Sequence, residues 1–226
     1  MAFVFPEGLA PEVYPLAWLV GTWHGQGAMG YPGIEESAIE QDVVFTHDGG
    51  PYLAYAATTR LIDEQGEIGR VWHTESGYWR VVPSDQPEIV AQAADQSEEK
   101  KAELGDQLAD AGQAREIPGN GRTAQAGKQR SATPIPREIE VLIADPAGAV
   151  SVYIGQIEGP RITIATDLMA HTPSGAEMNA GRRLYGLVDS DLLWAWDLAA
   201  FGQPLQSYMS ARLKRVGEQT DTIPSD

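Results

Sequence analysis

The residues best suited to proton transfer or metal ligation are four histidines, His24, His47, His73 and His171. No two of them stand in an HExxH spacing or at i, i+4, so their spacing specifies no zinc site, and no metal ligand is expected. His73-Thr74-Glu75 puts an imidazole and a carboxylate on one strand face, because alternate residues of a strand point the same way. Taken alone, it reads as a cross-strand polar pair near a barrel mouth. His47 precedes Asp48-Gly49-Gly50 and reads as a hairpin cap, and His171 lies in the turn "AHTPSG". Arg182 and Arg183 are adjacent, so one of them faces inward; a buried arginine pairs with a carboxylate or a ligand acid. Trp194 and Trp196 alternate on one face and read as apolar wall. No P-loop and no GxSxG elbow is present.

These residues lie on a chain that reads as strands almost throughout. "GTWHGQG" places Gly21, Trp23, Gly25 and Gly27 on one face of a strand, with Thr22, His24 and Gln26 on the other. A face of glycines with one tryptophan suits a strand that bends sharply or meets another backbone closely, and His24 then points to solvent. A short helix is expected over Pro11 to Leu19. "IEQDVVFTH", "PYLAYAATTRLI" and "RVWHTESGYWRVV" follow as strands, the first two joined by the hairpin signal "DGG". "REIEVLIA", "AVSVYIGQIEG", "RITIATDLMA", "GRRLYGLV", "LLWAWDLAAF" and "PLQSYMSARLKRV" complete the set. Serial hairpins of this kind predict an all-β, antiparallel, ten-stranded up-and-down barrel over residues 1–217. About ten strands enclose more space than side chains fill, so a cavity for a small apolar ligand is expected.

Between the two sets of strands, Pro83 to Pro136 loses its aromatic residues and turns to Gln, Ala, Gly, Asp and Glu. Such a stretch buries too little apolar surface to offset its ordering entropy, so a disordered hairpin insertion is expected over 83–136. An acidic, frayed tail is expected over 218–226.

Composition narrows the partners. Asp and Glu number 32 against 16 Lys and Arg, a net charge of −16, which repels phosphate backbones and anionic membrane surfaces. Nucleic acid and membrane are therefore not expected partners. Cysteine is absent, which removes disulfides and thiolate metal sites. No basic stretch precedes the first apolar run, and Pro6, Pro11 and Pro15 interrupt it, so a cytoplasmic location is expected.

Four ordered blocks carry a family resemblance. "GTWHGQG" resembles the GxWxGxG motif of the nitrobindin family, relatives of the fatty-acid-binding-protein-like barrels. "QDVVFTHDGGPYLAY", "WHTESGYWRV" and "FGQPLQSYMSARLKR" are similar to the family's "EEVVFxHxGxPxLxY", "xHxExGYxR" and "xxQPLxxHLxxxLxR". The resemblance implies a barrel that binds haem b through a C-terminal histidine and acts on peroxynitrite and nitric oxide. It also implies where this chain departs. The axial histidine falls at Tyr208, a threonine of haem-binding members at Gly33, and a haem-contacting lysine at Ala176, while His73 keeps the distal position. That pattern resembles the ferric nitrobindin-like subgroup, which lacks the axial histidine.

The expectation is therefore a barrel without haem ligation, with no cofactor and a small apolar ligand. Gly33, His73, Ala176 and Tyr208 are its cavity candidates. The alternative is a haem-binding peroxynitrite isomerase with Tyr208 or His73 at the iron. Tyrosinate ligates haem iron in catalase, but it needs a nearby cation, since free tyrosine titrates near about 10. Arg212, four strand residues on, lies about 13 Å away. Strand phase places Tyr208 with Gln206, Ser210 and Arg212 rather than with Leu205, Met209 and Leu213.

Overall fold

The computed structural model describes residues 5–83 and 135–217. Ten antiparallel strands run in chain order: β1 Gly21–Tyr31, β2 Ile34–Thr46, β3 Leu53–Ile62, β4 Ile68–Val81 and β5 Arg137–Asp145. β6 Ala149–Glu158, β7 Arg161–His171, β8 Met178–Val188, β9 Asp191–Ala200 and β10 Gln206–Arg215 follow. Each strand pairs with the next, and β1 pairs with β10, which closes the expected barrel. Closure leaves no unpaired sheet edge. Strand bounds differ from the sequence reading mainly at β2, which begins at Ile34 rather than Ile39, and at β8, which begins at Met178 rather than Gly181. The insertion and the tail lie outside the described residues, apart from Pro83, Ile135, Pro136, Val216 and Gly217.

One end is stopped by the segment before β1. Pro11–Leu19 is a 3-10 helix with Pro15 inside it. Proline fixes φ and donates no hydrogen bond, which suits a short helix better than a long one. Its Val13, Leu16, Ala17 and Leu19 are buried. Trp23, fully buried, donates from Nε1 to the Leu19 carbonyl at 2.7 Å. Arg215, at the end of β10, lies over the Trp23 ring at 4.1 Å. Its Nη2 donates to the Trp18 carbonyl at 2.7 Å, and Nη1 donates to the carbonyl of Val20. First strand, last strand and helix are thus tied through one indole.

The glycines of β1 explain how the barrel closes. A Cβ at Gly25 would stand 2.2 Å from the Arg212 carbonyl oxygen, and one at Gly27 would stand 2.0 Å from that of Ser210. Only glycine allows β10 to come this close. Gly21 has φ +129°, a conformation that side-chain-bearing residues rarely adopt, and a Cβ there would meet the Arg215 guanidinium.

Aromatic side chains fill the interior. Phe45, Tyr55, Trp79, Tyr185 and Trp194 form a chain of ring contacts with centroids 5.0–6.0 Å apart. Trp194 Nε1 donates to Gln41 at 2.7 Å, so its one polar atom is satisfied inside the core. Trp194 and Trp196 are both inward wall, as their spacing implied.

Candidate functional site

The end opposite the helix is the barrel mouth, ringed by the turns that follow β1, β3, β5, β7 and β9. Gly33 sits in the first of these turns with φ +84° and nothing near the space a Cβ would take. Ala176 is exposed in the turn before β8. Neither touches a polar cluster. His73 and Tyr208 point into the mouth.

Two bulges aim these side chains. In β4, His73 pairs with Thr59 and Val71 with Arg60, which leaves Trp72 as an extra residue. In β10, Ser207 pairs with Asp197 and Met209 with Trp196, which leaves Tyr208 as the extra residue. A bulge turns a side chain that strict alternation would send the other way. Tyr208 is therefore buried beside Met209, and not on the outer face with Ser210 and Arg212, which corrects the strand-phase reading. The two bulged residues meet across the barrel: Trp72 Nε1 donates to the Tyr208 hydroxyl at 2.8 Å. Tyr31 and Trp196 pack edge-on against the Tyr208 ring at 5.8 and 5.1 Å.

Beside this aromatic bridge lies a buried charge network. Of the adjacent arginines, Arg182 faces out to Asp197, and Arg183 faces in, 1% exposed. Arg183 grips Glu75 with both terminal nitrogens, Nη1 to Oε1 at 2.5 Å and Nη2 to Oε2 at 2.7 Å. Tyr55 donates to the same Oε1 at 2.6 Å. The partner carboxylate the sequence left open is thus the chain's own Glu75. Its signal was present: Glu75 is an acid in the inward phase of β4 with Gly77, Trp79 and Val81. His73 stands between two carboxylates, Nε2 at 3.2 Å from Glu75 and Nδ1 at 3.3 Å from Asp145. The pair seen at His73 and Glu75 is one edge of this network, on a single strand. Asp145, in the turn after β5, carried no sequence signal beyond its turn chemistry.

Electrostatics follow from these contacts. Burial lowers the His73 pKa, but the hydrogen bonds with Asp145 and Glu75 outweigh it and hold the imidazolium up to about 9. Burial works against the Glu75 charge, yet the Arg183 guanidinium and His73 keep its carboxyl well below the usual range. Burial pushes the Tyr208 phenol up, and the Trp72 hydrogen bond only partly opposes it.

The space left is small. The pocket lined by His73, Glu75, Ser151, Met178, Arg183 and Trp196 holds about 10 Å³, room for one water. The expected cavity wider than its side chains is not seen here, because aromatic rings and the Arg183–Glu75 pair occupy it. Haem fits these residues poorly as arranged. Ligand pockets for such molecules run to several hundred Å³. Tyr208 is a neutral phenol accepting from Trp72, and both nitrogens of His73 face carboxylates, so neither offers a lone pair to an iron.

Comparison with known proteins places these features in a family. The model of the THAP4-like, heme-binding beta-barrel domain matches residues 12–215. A ferric nitrobindin-like protein of Beutenbergia cavernae is 44% identical, over 96% of this chain and 100% of its own. A peroxynitrite isomerase of Kocuria rhizophila is 34% identical, over 96% of each chain. The crystal structure of Rv2717c from M. tuberculosis superposes with a TM-score of 0.61 at 24% identity, covering 92% of this chain and 99% of that one. The last likeness is one of fold.

Proposed function

This chain belongs to the THAP4-like, heme-binding beta-barrel family, and from that premise we propose that it is a member which does not ligate haem iron and binds a small apolar molecule at its mouth. One observation carries the reading. Tyr208, aligned with the family's axial histidine, spends its hydroxyl on Trp72, and no cation stands beside it to favour tyrosinate. Arg183, the nearest buried cation of the network, is held by Glu75. The absence of a cofactor is part of the proposal. So is the apolar character of the ligand, which rests on the rings of Tyr31, Trp72, Trp196 and Tyr208 at the mouth. A ligand enters by parting Trp72 from Tyr208, since the rest of the pocket is closed.

Tyr208→His tests this directly. The variant restores an imidazole at the axial position and frees the Trp72 indole to move aside. It should bind hemin stoichiometrically, read as a new Soret band. No gain would mean that the pocket itself, and not only the iron ligand, differs from that of haem-binding relatives. The alternative is a haem peroxynitrite isomerase with Tyr208 or His73 at the iron. It has in its favour the names of relatives such as the peroxynitrite isomerases of Kocuria rhizophila and of Leifsonia xyli subsp. xyli, the latter 38% identical.

A further inference from the structure

On the outer face of β1 and β2, away from the mouth, strand pairing assembles a group that no spacing along the chain announces. His24 of β1 stands directly opposite Asp42 of β2, and Glu40 lies two residues before Asp42 on the same face. One nitrogen of His24 and one carboxylate oxygen from each acid all lie within 4.8 Å of one another. His24 Nδ1 is 2.9 Å from Asp42 Oδ1, and His24 Nε2 is 3.9 Å from Glu40 Oε2.

Glu40 is the odd member. It is only 8% exposed, yet its sole polar neighbour, His24, lies beyond hydrogen-bond distance. Arg60, its cross-strand neighbour in β3, turns instead to Asp42 Oδ2 at 2.6 Å. A buried carboxylate without a donor or countercharge is costly. The rest of the group is arranged as a ligand set. Arg60 holds the far oxygen of Asp42 and leaves the near one directed at His24. The side chains of His24 and Asp42 are 46% and 41% exposed, so an ion has an open path and water can complete its shell.

We propose that His24, Glu40 and Asp42 bind a divalent transition metal of the zinc class. One imidazole with two carboxylates and open positions is a donor set for a borderline ion such as Zn²⁺ or Co²⁺, and less so for Mg²⁺ or Ca²⁺, which take oxygen ligands only. The ion supplies the countercharge that Glu40 lacks, and the net charge of −16 raises the local cation concentration. Lys214, opposite His24 on β10, is the cation that opposes it on the other side. The four histidines gave no zinc spacing because two of the three ligands are acids, and they meet His24 only through the β1–β2 register.

Calorimetric titration of the full chain with Zn²⁺ at neutral pH tests this, with Co²⁺ absorption as a second readout. One equivalent of Zn²⁺ should bind, and visible Co²⁺ bands should arise. His24→Ala and Glu40→Gln should each weaken binding at least about tenfold and remove the bands. His171→Ala, an exposed histidine elsewhere, should change neither. Absence of binding by the unaltered chain, or binding that survives His24→Ala, would overturn the proposal. Since His24 is exposed, that variant decides the matter even if Glu40→Gln disturbs the sheet.

Discussion

The two ends of this barrel are built on opposite principles. At the closed end, every side chain follows regular alternation, and Trp23 is held by a carbonyl, a guanidinium and apolar helix residues. At the mouth, alternation is broken at Trp72 and Tyr208, and the buried groups are charged or phenolic and satisfy one another. The first arrangement derives its stability from burial of apolar surface, which is insensitive to pH and to ligands. The second consists of groups that would each suffer if a partner left, and that therefore respond to protonation and to anything entering. A scaffold and a site need these two kinds of interior.

Mutation should separate the two ends. Trp23→Ala removes a fully buried indole together with its hydrogen bond and its stacking on Arg215, and should cost about 3–5 kcal/mol in denaturant unfolding. Arg183→Met should cost a similar amount, about 3–5 kcal/mol, for a different reason: it strands the Glu75 charge. The comparison is sharpened by adding Glu75→Leu to Arg183→Met. The double variant should recover much of the loss, whereas no second substitution at the closed end is expected to rescue Trp23→Ala. If the double variant lost the sum of the two single ones, the network would not be the self-compensating unit described here.

A smaller effect should appear in pH dependence. His73 has its folded pKa raised to about 9 from an ordinary 6.5. Its stabilisation is therefore fully present below about pH 6.5 and is lost as pH rises through about 9, up to about 3 kcal/mol in all. Glu75, held low, contributes in the other direction: its stabilisation is present above the ordinary carboxylate range and is lost on acidification. Unfolding free energy measured between neutral and alkaline pH should thus decline in the unaltered chain and stay level in His73→Gln. The same measurement on Trp23→Ala should retain the decline, offset to lower stability throughout.

The difference between the ends also governs how much the sequence could say. Period two carried the closed end well: Gly21, Trp23, Gly25 and Gly27 share a face, and the glycines do mark a close backbone approach to β10. The ten strands and their antiparallel closure followed from the same alternation. At the mouth the rule failed where a bulge interrupts it. Nothing in "PLQSYMSARLKRV" shows that Tyr208 is the unpaired residue, so its phase was read outward, and Trp72 was not singled out at all. His73 and Glu75 were legible as a pair because they lie two residues apart. Asp145 and Tyr55, brought to the same network from other strands, were not. The resemblance to nitrobindins pointed to Tyr208 and His73, the positions that local pattern could not place.

The central claim is that Tyr208 belongs to a closed aromatic bridge with Trp72 and is not an iron ligand. Titration of the purified, unaltered chain with hemin, followed by absorption, tests it most directly. The account predicts a weak, unsaturated rise without a sharp Soret band, unchanged in Tyr208→Phe. A sharp, stoichiometric Soret band that disappears in Tyr208→Phe would contradict it.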